Sequence, residues 1–186
     1  MGKINIGVQG FTMPMPQTIL GCRQGGRSNF MALAWTTRVN YNPALIMASV
    51  GKKHFSNSAI KESGEFSVNI PSSDMVEIAD FVGLVSGSQL DKSELFTIHK
   101  GTLENAPIIA ECPMGLECKV IDSMELPNDT LFIGEVIATW CNEEVLTEGI
   151  PDVKKVDPFT LTMPDNRYWT VGECIGRAWH EGKKLK

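Results

Sequence analysis

Polar and cationic residues recur along this chain at points where a predicted strand ends or a predicted helix begins. They are Arg27, Ser28 and Asn29, then Ser49 with the loop GKKHFSNS, then Asn69, and finally Ser86, Gly87, Asp91 and Lys92. The first N–H groups of a helix lack partners within it, and the helix dipole places partial positive charge at the same end. Hydroxyl groups and a lysine add donors and a point charge. The pattern indicates a site for a phosphate monoester.

Each of these residues also has an ordinary structural interpretation. Ser56 can cap a short helix without any ligand, and Asp91 with Lys92 can form a solvated surface pair that adds little to stability. A single histidine such as His54 is more often a loop residue than a binding group. Trp35, within an apolar segment, is by default a core residue. The chemistry therefore depends on whether the fold brings these residues together.

Motifs of nucleophilic or metal catalysis are missing from the sequence. It has no GxGxxG after a strand, no P-loop, no GxSxG elbow and no HExxH. The five cysteines stand at wide spacings with no CxxC pair, and three histidines are too few to complete a typical zinc pattern. We therefore expect no metal and no catalytic side chain, and we interpret the cysteines as buried free thiols: Cys22, Cys112, Cys118, Cys141 and Cys174.

Length and charge restrict the function further. A chain of 186 residues that is 42% hydrophobic can bury a core, and we expect residues 1–186 to form a single domain. The formal net charge of -5 and the scattered basic residues argue against a nucleic-acid partner. The segment MGKINIGVQGFTMPMP is interrupted by glycine and proline, so it is typical neither of a signal peptide nor of a membrane span. We therefore expect a cytoplasmic protein with no membrane partner.

Several segments have the patterns of β-strands. The predicted strands are TILGCR, FMALAWTTRV after a turn at GGRSN, ALIMASVG, EFSVNIP, and the pair GLECKVIDSMEL and TLFIGEVIATW. Partial alternation of large and small residues supports the second, and the third is an apolar run short enough for a buried strand. Only the tripeptide PND separates the last two, which predicts a hairpin or meander.

Helices are short and few. FSNSAIKES, closed by Gly64, predicts one short helix, and SSDMVEIADFVGLVSG predicts a second that ends near Gly87. The aromatic-rich tail from Asp157 to Gly182 is typical of an ordered segment that wraps the domain. The strands do not alternate with long helices, so the pattern disfavours a Rossmann sheet. It predicts a mainly β fold with short helices, in the form of a β-barrel with helical insertions.

The order of the motifs resembles the flavin reductase-like family, and among its members the flavoredoxins. The matching segments are Asn29 with AxAW (Ala32 to Trp35), Asn42-Pro43, GEFSVNIP, DxxGxxSG (Asp80 to Gly87) with DKS, APIIAECPMGLEC, FIGEV and RYWTVGECIGRAW. Together they cover nearly the whole chain. The resemblance implies an FMN-binding split β-barrel of Greek-key type, a homodimer with the flavin near the subunit interface, and FMN as the cofactor.

The resemblance also implies positions around the cofactor. They are Asn29, Ala32, Trp35, Ser49, Val50, His54, Ser56, Asn69, Ser86, Gly87, Lys92 and Trp169. It implies that Asn29 and Trp35 lie near the isoalloxazine ring or the ribityl chain, and that Ser49, His54 and Ser56 surround the phosphate. Lys92 would contact the phosphate, and Tyr168 or Trp169 would lie near the ring.

Three functions are compatible with this resemblance. The leading one is an oxidoreductase in which NAD(P)H reduces bound FMN, which then reduces free flavin, ferric iron or an electron-transfer protein. The second is a non-enzymatic FMN electron carrier between redox protein partners, as in flavoredoxins. The third is a flavin-free dimeric module, which the joint presence of Asn29, Ser56 and Lys92 disfavours. Because FMN carries the electron chemistry, neither of the first two demands a catalytic acid or base.

Overall fold

One seven-stranded antiparallel sheet organises the chain. The computed structural model describes residues 2–185. In chain order, the strands are β1 (Met15–Pro16), β2 (Thr18–Gln24), β3 (Arg27–Leu33), β4 (Thr36–Asn40), β5 (Leu45–Gly51), β6 (Glu65–Ile70), β7 (Ile98–His99), β8 (Ile108–Ile109), β9 (Met114–Glu125), β10 (Asp129–Cys141), β11 (Leu146–Thr147), β12 (Ile150–Pro151), β13 (Phe159–Thr162) and β14 (Arg167–Thr170). The helices are α1 (Phe55–Ser63), α2 (Val76–Leu84) and α3 (Val153–Val156), with 3-10 turns at Ser73–Met75, Glu143–Val145 and Glu181–Leu185.

The strand order of the large sheet is β3-β2-β6-β9-β10-β5-β4. Hairpins join β2 to β3, β4 to β5, and β9 to β10, while β6 inserts between β2 and β9. Smaller sheets consist of β1-β13-β14, β7-β8 and β11-β12. The mainly β fold with short helices, predicted from the sequence, is confirmed.

The long hairpin is irregular where it passes over the aromatic core. The pairing of β9 with β10 shifts register between Ile133 and Gly134 and again between Val136 and Ala138. A β-carbon on Gly134 would lie 2.7 Å from the Phe66 ring, so this strand can pass over the aromatic core only with glycine at that position.

Two buried apolar clusters lie on the sheet. The first packs α1 against the strands, and its largest fully buried members are Leu20, Ile60, Phe66 and Phe132. The second lies under α2 and contains Ile19, Phe30, Val82, Phe96, Ile109 and Phe159. Burial of these side chains is the main favourable term that fixes both helices on the sheet. Both helices contact β3.

Most predicted elements are present, with three differences. Strand β3 begins at Arg27, inside the predicted turn. The predicted strand FMALAWTTRV is interrupted at residues 34–35, and β4 begins at Thr36. Helix α2 ends at Leu84 rather than near Gly87, because Val85 already has extended backbone angles. In the tail, β13 and β14 are ordered, but residues 171–185 are exposed, so the prediction of a wrapping segment is wrong for that part.

The cysteines are free, as expected, but they are not all buried. Cys22, Cys112 and Cys118 are buried, Cys141 is half-buried and Cys174 is exposed. Across residues 2–185, no helix is both long and apolar enough to span a membrane.

Candidate functional site

A small cavity of about 100 Å³ lies where the N-terminus of α1 faces the C-terminus of α2. We refer to it as the α1 cavity. Seven of the twelve residues implied by the resemblance line it: Asn29, Ala32, His54, Ser56, Ser86, Gly87 and Lys92. These residues come from β3, from the start of α1 and from the loop after α2. Of the residues that the sequence had suggested for a phosphate, the fold thus brings together Asn29, His54, Ser56, Ser86, Gly87 and Lys92. The others named do not line this cavity: Arg27, Ser28, Ser49, Asn69 and Asp91.

The N-terminus of α1 opens into this cavity. His54 occupies the N-cap position with extended backbone angles, and within the described chain no side chain caps the helix. The first residues of the helix, Phe55 and Ser56, line the cavity together with His54. The structural interpretation required Ser56 to cap the helix, and this is wrong because His54 occupies the N-cap position. Open N–H groups and the positive end of the helix dipole make this end of α1 suited to an anion.

Lys92 is buried, with only 2% of its surface exposed. Its Nζ donates to the carbonyl oxygens of Phe30 and Val82, each at 2.8 Å. An ammonium group has three N–H donors, so one is left for a ligand in the cavity that Lys92 lines. Burial lowers the pKa of Lys92 from its ordinary value. The interpretation of Lys92 as half of a solvated pair is wrong, because Asp91 pairs instead with Arg27 at 3.5 Å.

Asn29 supplies a buried acceptor to the same cavity. Its Nδ2 donates to Ser56 Oγ at 2.9 Å, while Oδ1 is buried and finds no hydrogen-bond partner among residues 2–185. An unpaired buried amide oxygen is costly, and such atoms in native proteins usually have a partner. A β-carbon on Gly87 would clash with this oxygen and lie 3.2 Å from the Phe55 ring. Glycine at position 87 therefore leaves the room that the Asn29 amide occupies beside Phe55.

A larger cavity of about 630 Å³ lies beside Trp35 and β5. We refer to it as the Trp35 cavity. Trp35 is 49% exposed at the break between β3 and β4, so it is not the core residue of the default interpretation. Its carbonyl oxygen accepts a 2.9 Å hydrogen bond from the backbone N–H of Ser49, which also lines this cavity. This bond ties the backbone of Trp35 to β5, and the half-exposed indole can stack on a flat ring.

Three of the implied residues line neither cavity. Val50 is fully buried in the first apolar cluster. Asn69 is fully buried too; its Oδ1 accepts from the Ile109 N–H at 2.9 Å, and its Nδ2 donates within the core. Trp169 donates from Nε1 to Thr162 Oγ1 at 2.9 Å on the outer strand β14. The structure accounts for Asn69 as a core amide that joins strands, because its polar atoms already have protein partners.

Tyr168, the alternative to Trp169, also has a structural partner. Its hydroxyl donates to Asp80 Oδ1 at 2.7 Å, and its ring contacts Phe159 edge-on. Burial, followed by the bond to Asp80, raises the pKa of Tyr168 to about 12. This side chain joins β14 to α2 and stays neutral at physiological pH.

The sequence did not point to the segment from Gly10 to Pro16, yet it forms one wall of the Trp35 cavity. Glycine, proline and methionine there have no period that predicts an element, and only the short strand β1 forms, paired with β13. Met47 and Leu131 complete the opposite wall. A contact between an irregular segment and a distant strand leaves no local signal in the sequence.

Comparisons with known proteins bear on the family and the fold. Residues 11–170 match the family described as the flavin reductase-like domain. The chain is 48% identical to a flavoredoxin from Methanosarcina acetivorans, with a TM-score of 0.98 and full coverage of both chains. It is 34% identical to a flavoredoxin of Desulfovibrio vulgaris (Miyazaki F), with a TM-score of 0.91 over 97% of this chain and 100% of that one. It is also 30% identical to an uncharacterized protein of Archaeoglobus fulgidus, over 68% of this chain and 72% of that protein.

Proposed function

Because this chain belongs to the flavin reductase-like domain family, we propose that it is a redox flavoprotein that binds FMN across the two cavities. The α1 cavity would hold the phosphate, and the Trp35 cavity would hold the isoalloxazine ring. The observation that carries the proposal is the convergence of the Lys92 ammonium, the Ser56 hydroxyl and the open N-terminus of α1 on one small cavity.

The donors and acceptors of the α1 cavity match different parts of FMN. Lys92 has one N–H to give, and Ser56 and the first turn of α1 supply further donors, which suits a phosphate. The unpaired Oδ1 of Asn29 is an acceptor and would repel a phosphate oxygen. It suits a ribityl hydroxyl, which donates. Asn29 thus belongs at the junction of the phosphate and the ribityl chain.

When bound, FMN supplies the electron chemistry, accepting electrons from one partner and passing them to another. The residues of this chain bind and orient it. Trp35 would border the ring, Ser49 would line the same cavity, and the segment from Gly10 to Pro16 would exclude water from one side. No side chain in either cavity is required as an acid or base.

The leading proposal for the electron donor is NAD(P)H, with onward transfer to free flavin, ferric iron or an electron-transfer protein. The second candidate is an electron carrier without nicotinamide chemistry, working between redox protein partners in a cytoplasmic setting. The likeness to two flavoredoxins, at 48% and 34% identity, favours this candidate. Free cysteines fit a reducing compartment.

A homodimer is part of the proposal. Large apolar side chains in the two terminal segments are almost fully exposed, among them Ile4 (85%), Val8 (104%), Ile175 (101%) and Trp179 (94%). Exposed apolar surface of this extent in the terminal segments is suited to burial against a second copy of the chain. Sedimentation of the full-length chain against a Trp179→Asp variant tests this. A monomer in both would contradict the dimer.

The test of the function is the visible absorption of the full chain after FMN is added and unbound FMN is removed, followed by anaerobic NADH or NADPH. Flavin bands that remain and then bleach support the nicotinamide-linked oxidoreductase. Bands that remain, resist both nucleotides and bleach with a reduced electron-transfer protein support the carrier. A colourless protein contradicts both and leaves the flavin-free module.

A further inference from the structure

A third cavity, of about 250 Å³, adjoins the Trp35 cavity. We refer to it as the outer cavity. It is lined by Gly10, Phe11, Thr12, Met13, Met15, Trp35 and Met163. All but Phe11 and Met163 also line the Trp35 cavity. The same short segment and the same indole therefore border both spaces, so a molecule in one lies beside a molecule in the other.

The chemistry of the outer cavity differs from that of the α1 cavity. Every described residue that lines it is uncharged, and three of them are methionines placed around Trp35 and Phe11. Thioether groups are polarizable, adapt to irregular shapes and make favourable contacts with aromatic rings. The Thr12 hydroxyl is the one side-chain hydrogen-bonding group besides the indole N–H among these lining residues.

We infer that the outer cavity binds a small uncharged aromatic molecule of the quinone class, next to the flavin ring. This inference rests on the proposed function, because that function places a flavin in the neighbouring Trp35 cavity. An aromatic ring can stack on Trp35 and contact the methionine sulfurs, and the Thr12 hydroxyl can donate to a ring carbonyl.

Charge and size exclude the obvious competitors. A nicotinamide dinucleotide carries a charged pyrophosphate, and no cation stands among the described lining residues to pair with it. A protein partner cannot enter a space of about 250 Å³. The outer cavity therefore selects against charge, while the α1 cavity selects for it.

The test uses two matched probes, menadione and 1,4-naphthoquinone-2-sulfonate, titrated calorimetrically into the full chain with oxidised FMN bound and again without FMN. The probes share the naphthoquinone ring system and differ mainly in the charge of one substituent. We expect menadione to bind at least about tenfold more tightly, because the sulfonate must lose water without gaining a partner. Equal affinities, or tighter binding of the sulfonate, would overturn the inference.

Variants localise the binding. Met163→Lys places a cation in the outer cavity and is expected to reverse the preference toward the sulfonate, whereas Ile150→Lys, at an exposed apolar position on β12, leaves it unchanged. Phe11→Ala, on the irregular segment, is expected to weaken menadione by about threefold to tenfold without disturbing the sheet. No response to either Met163→Lys or Phe11→Ala would show that the probe binds elsewhere.

The absorbance of retained FMN separates this inference from the proposed function. If FMN is retained while the two probes do not differ, the inference fails and the flavin site stands. If FMN is not retained, the flavin site fails, and the titration of the FMN-free chain still decides whether the outer cavity prefers the uncharged ring.

Discussion

The ammonium nitrogen of Lys92 lies 2.8 Å from the carbonyl oxygen of Val82, in the last turn of α2. An equal bond to the carbonyl of Phe30 ties the same group to β3. Lys92 therefore holds two walls of the α1 cavity together while it offers a positive charge to a ligand. The sequence places Lys92 in the loop after the second helix, where a solvated pair with Asp91 is the alternative to a phosphate contact.

Replacing Lys92 by alanine should lower both stability and FMN affinity. Two buried carbonyl oxygens lose their donor, which costs about 1–3 kcal/mol in the free energy of unfolding of the FMN-free protein. Loss of the charge-assisted contact weakens FMN by about 1.5–3 kcal/mol. Urea denaturation measures the first and fluorescence titration the second. Lys61→Ala, which removes an exposed lysine paired with Glu125, is the control and should change either quantity by less than about 1 kcal/mol.

Alkaline pH should weaken FMN through Lys92. Burial lowers the pKa of Lys92 below its ordinary 10.5. The charged form would bind the phosphate, so affinity should be highest below the pKa that Lys92 has in the free protein and should fall as pH rises through it. The measurement is the ratio of FMN affinity to riboflavin affinity from neutral to alkaline pH. Both flavins carry the same ring, so the effect of ring titration cancels in this ratio. A ratio that declines equally in wild type and Lys92→Ala would assign the effect to another group.

Gly87→Ala should abolish FMN retention with little loss of folding. The added carbon would lie 2.8 Å from Asn29 Cγ and would push the amide out of the α1 cavity. Gly172→Ala is the matched control, since a β-carbon there meets no described atom within 4 Å. Retained FMN after desalting, together with the far-ultraviolet circular dichroism of each variant, gives the result. Full retention by Gly87→Ala would remove Asn29 from the site.

The cysteines should be dispensable for electron transfer. Burial raises the pKa of Cys118 to about 12 and also raises the pKa values of Cys22 and Cys112, so these three thiols stay protonated. In single Cys→Ser variants that retain FMN, we expect NAD(P)H or a reduced electron-transfer protein to reduce the bound FMN at the wild-type rate, as measured by anaerobic stopped flow. Loss of reduction in a variant that still binds FMN would reveal a redox thiol.

Much of the fold could be predicted because its signals are local. The apolar run of β5, the helix closed by Gly64 and the PND hairpin each follow from the composition of a few residues. The insertion of β6 between β2 and β9 could not be predicted, because pairing between distant segments leaves no periodic mark. Asn69 illustrates the same limit, since its partners lie on strands far away in the chain.

The candidate site likewise contains residues that a local sequence pattern predicts and residues whose role depends on tertiary contacts. Residues near the start of α1, such as Ser56 and His54, belong to a recognisable local pattern, and the structure places them in the α1 cavity. The burial of Lys92 and the unpaired oxygen of Asn29 depend on how α2 and its following loop fold back on β3. Met163 lies far from Trp35 in sequence and meets it only through the tertiary fold.

The most direct test of the central claim compares the affinities of FMN and riboflavin for the wild-type chain and for Lys92→Ala. The two flavins differ only in the phosphate, so their ratio isolates the α1 cavity. We predict that the wild type prefers FMN by at least about tenfold, and that this preference largely disappears in Lys92→Ala. Equal affinities for FMN and riboflavin in the wild type would contradict a phosphate site at Lys92.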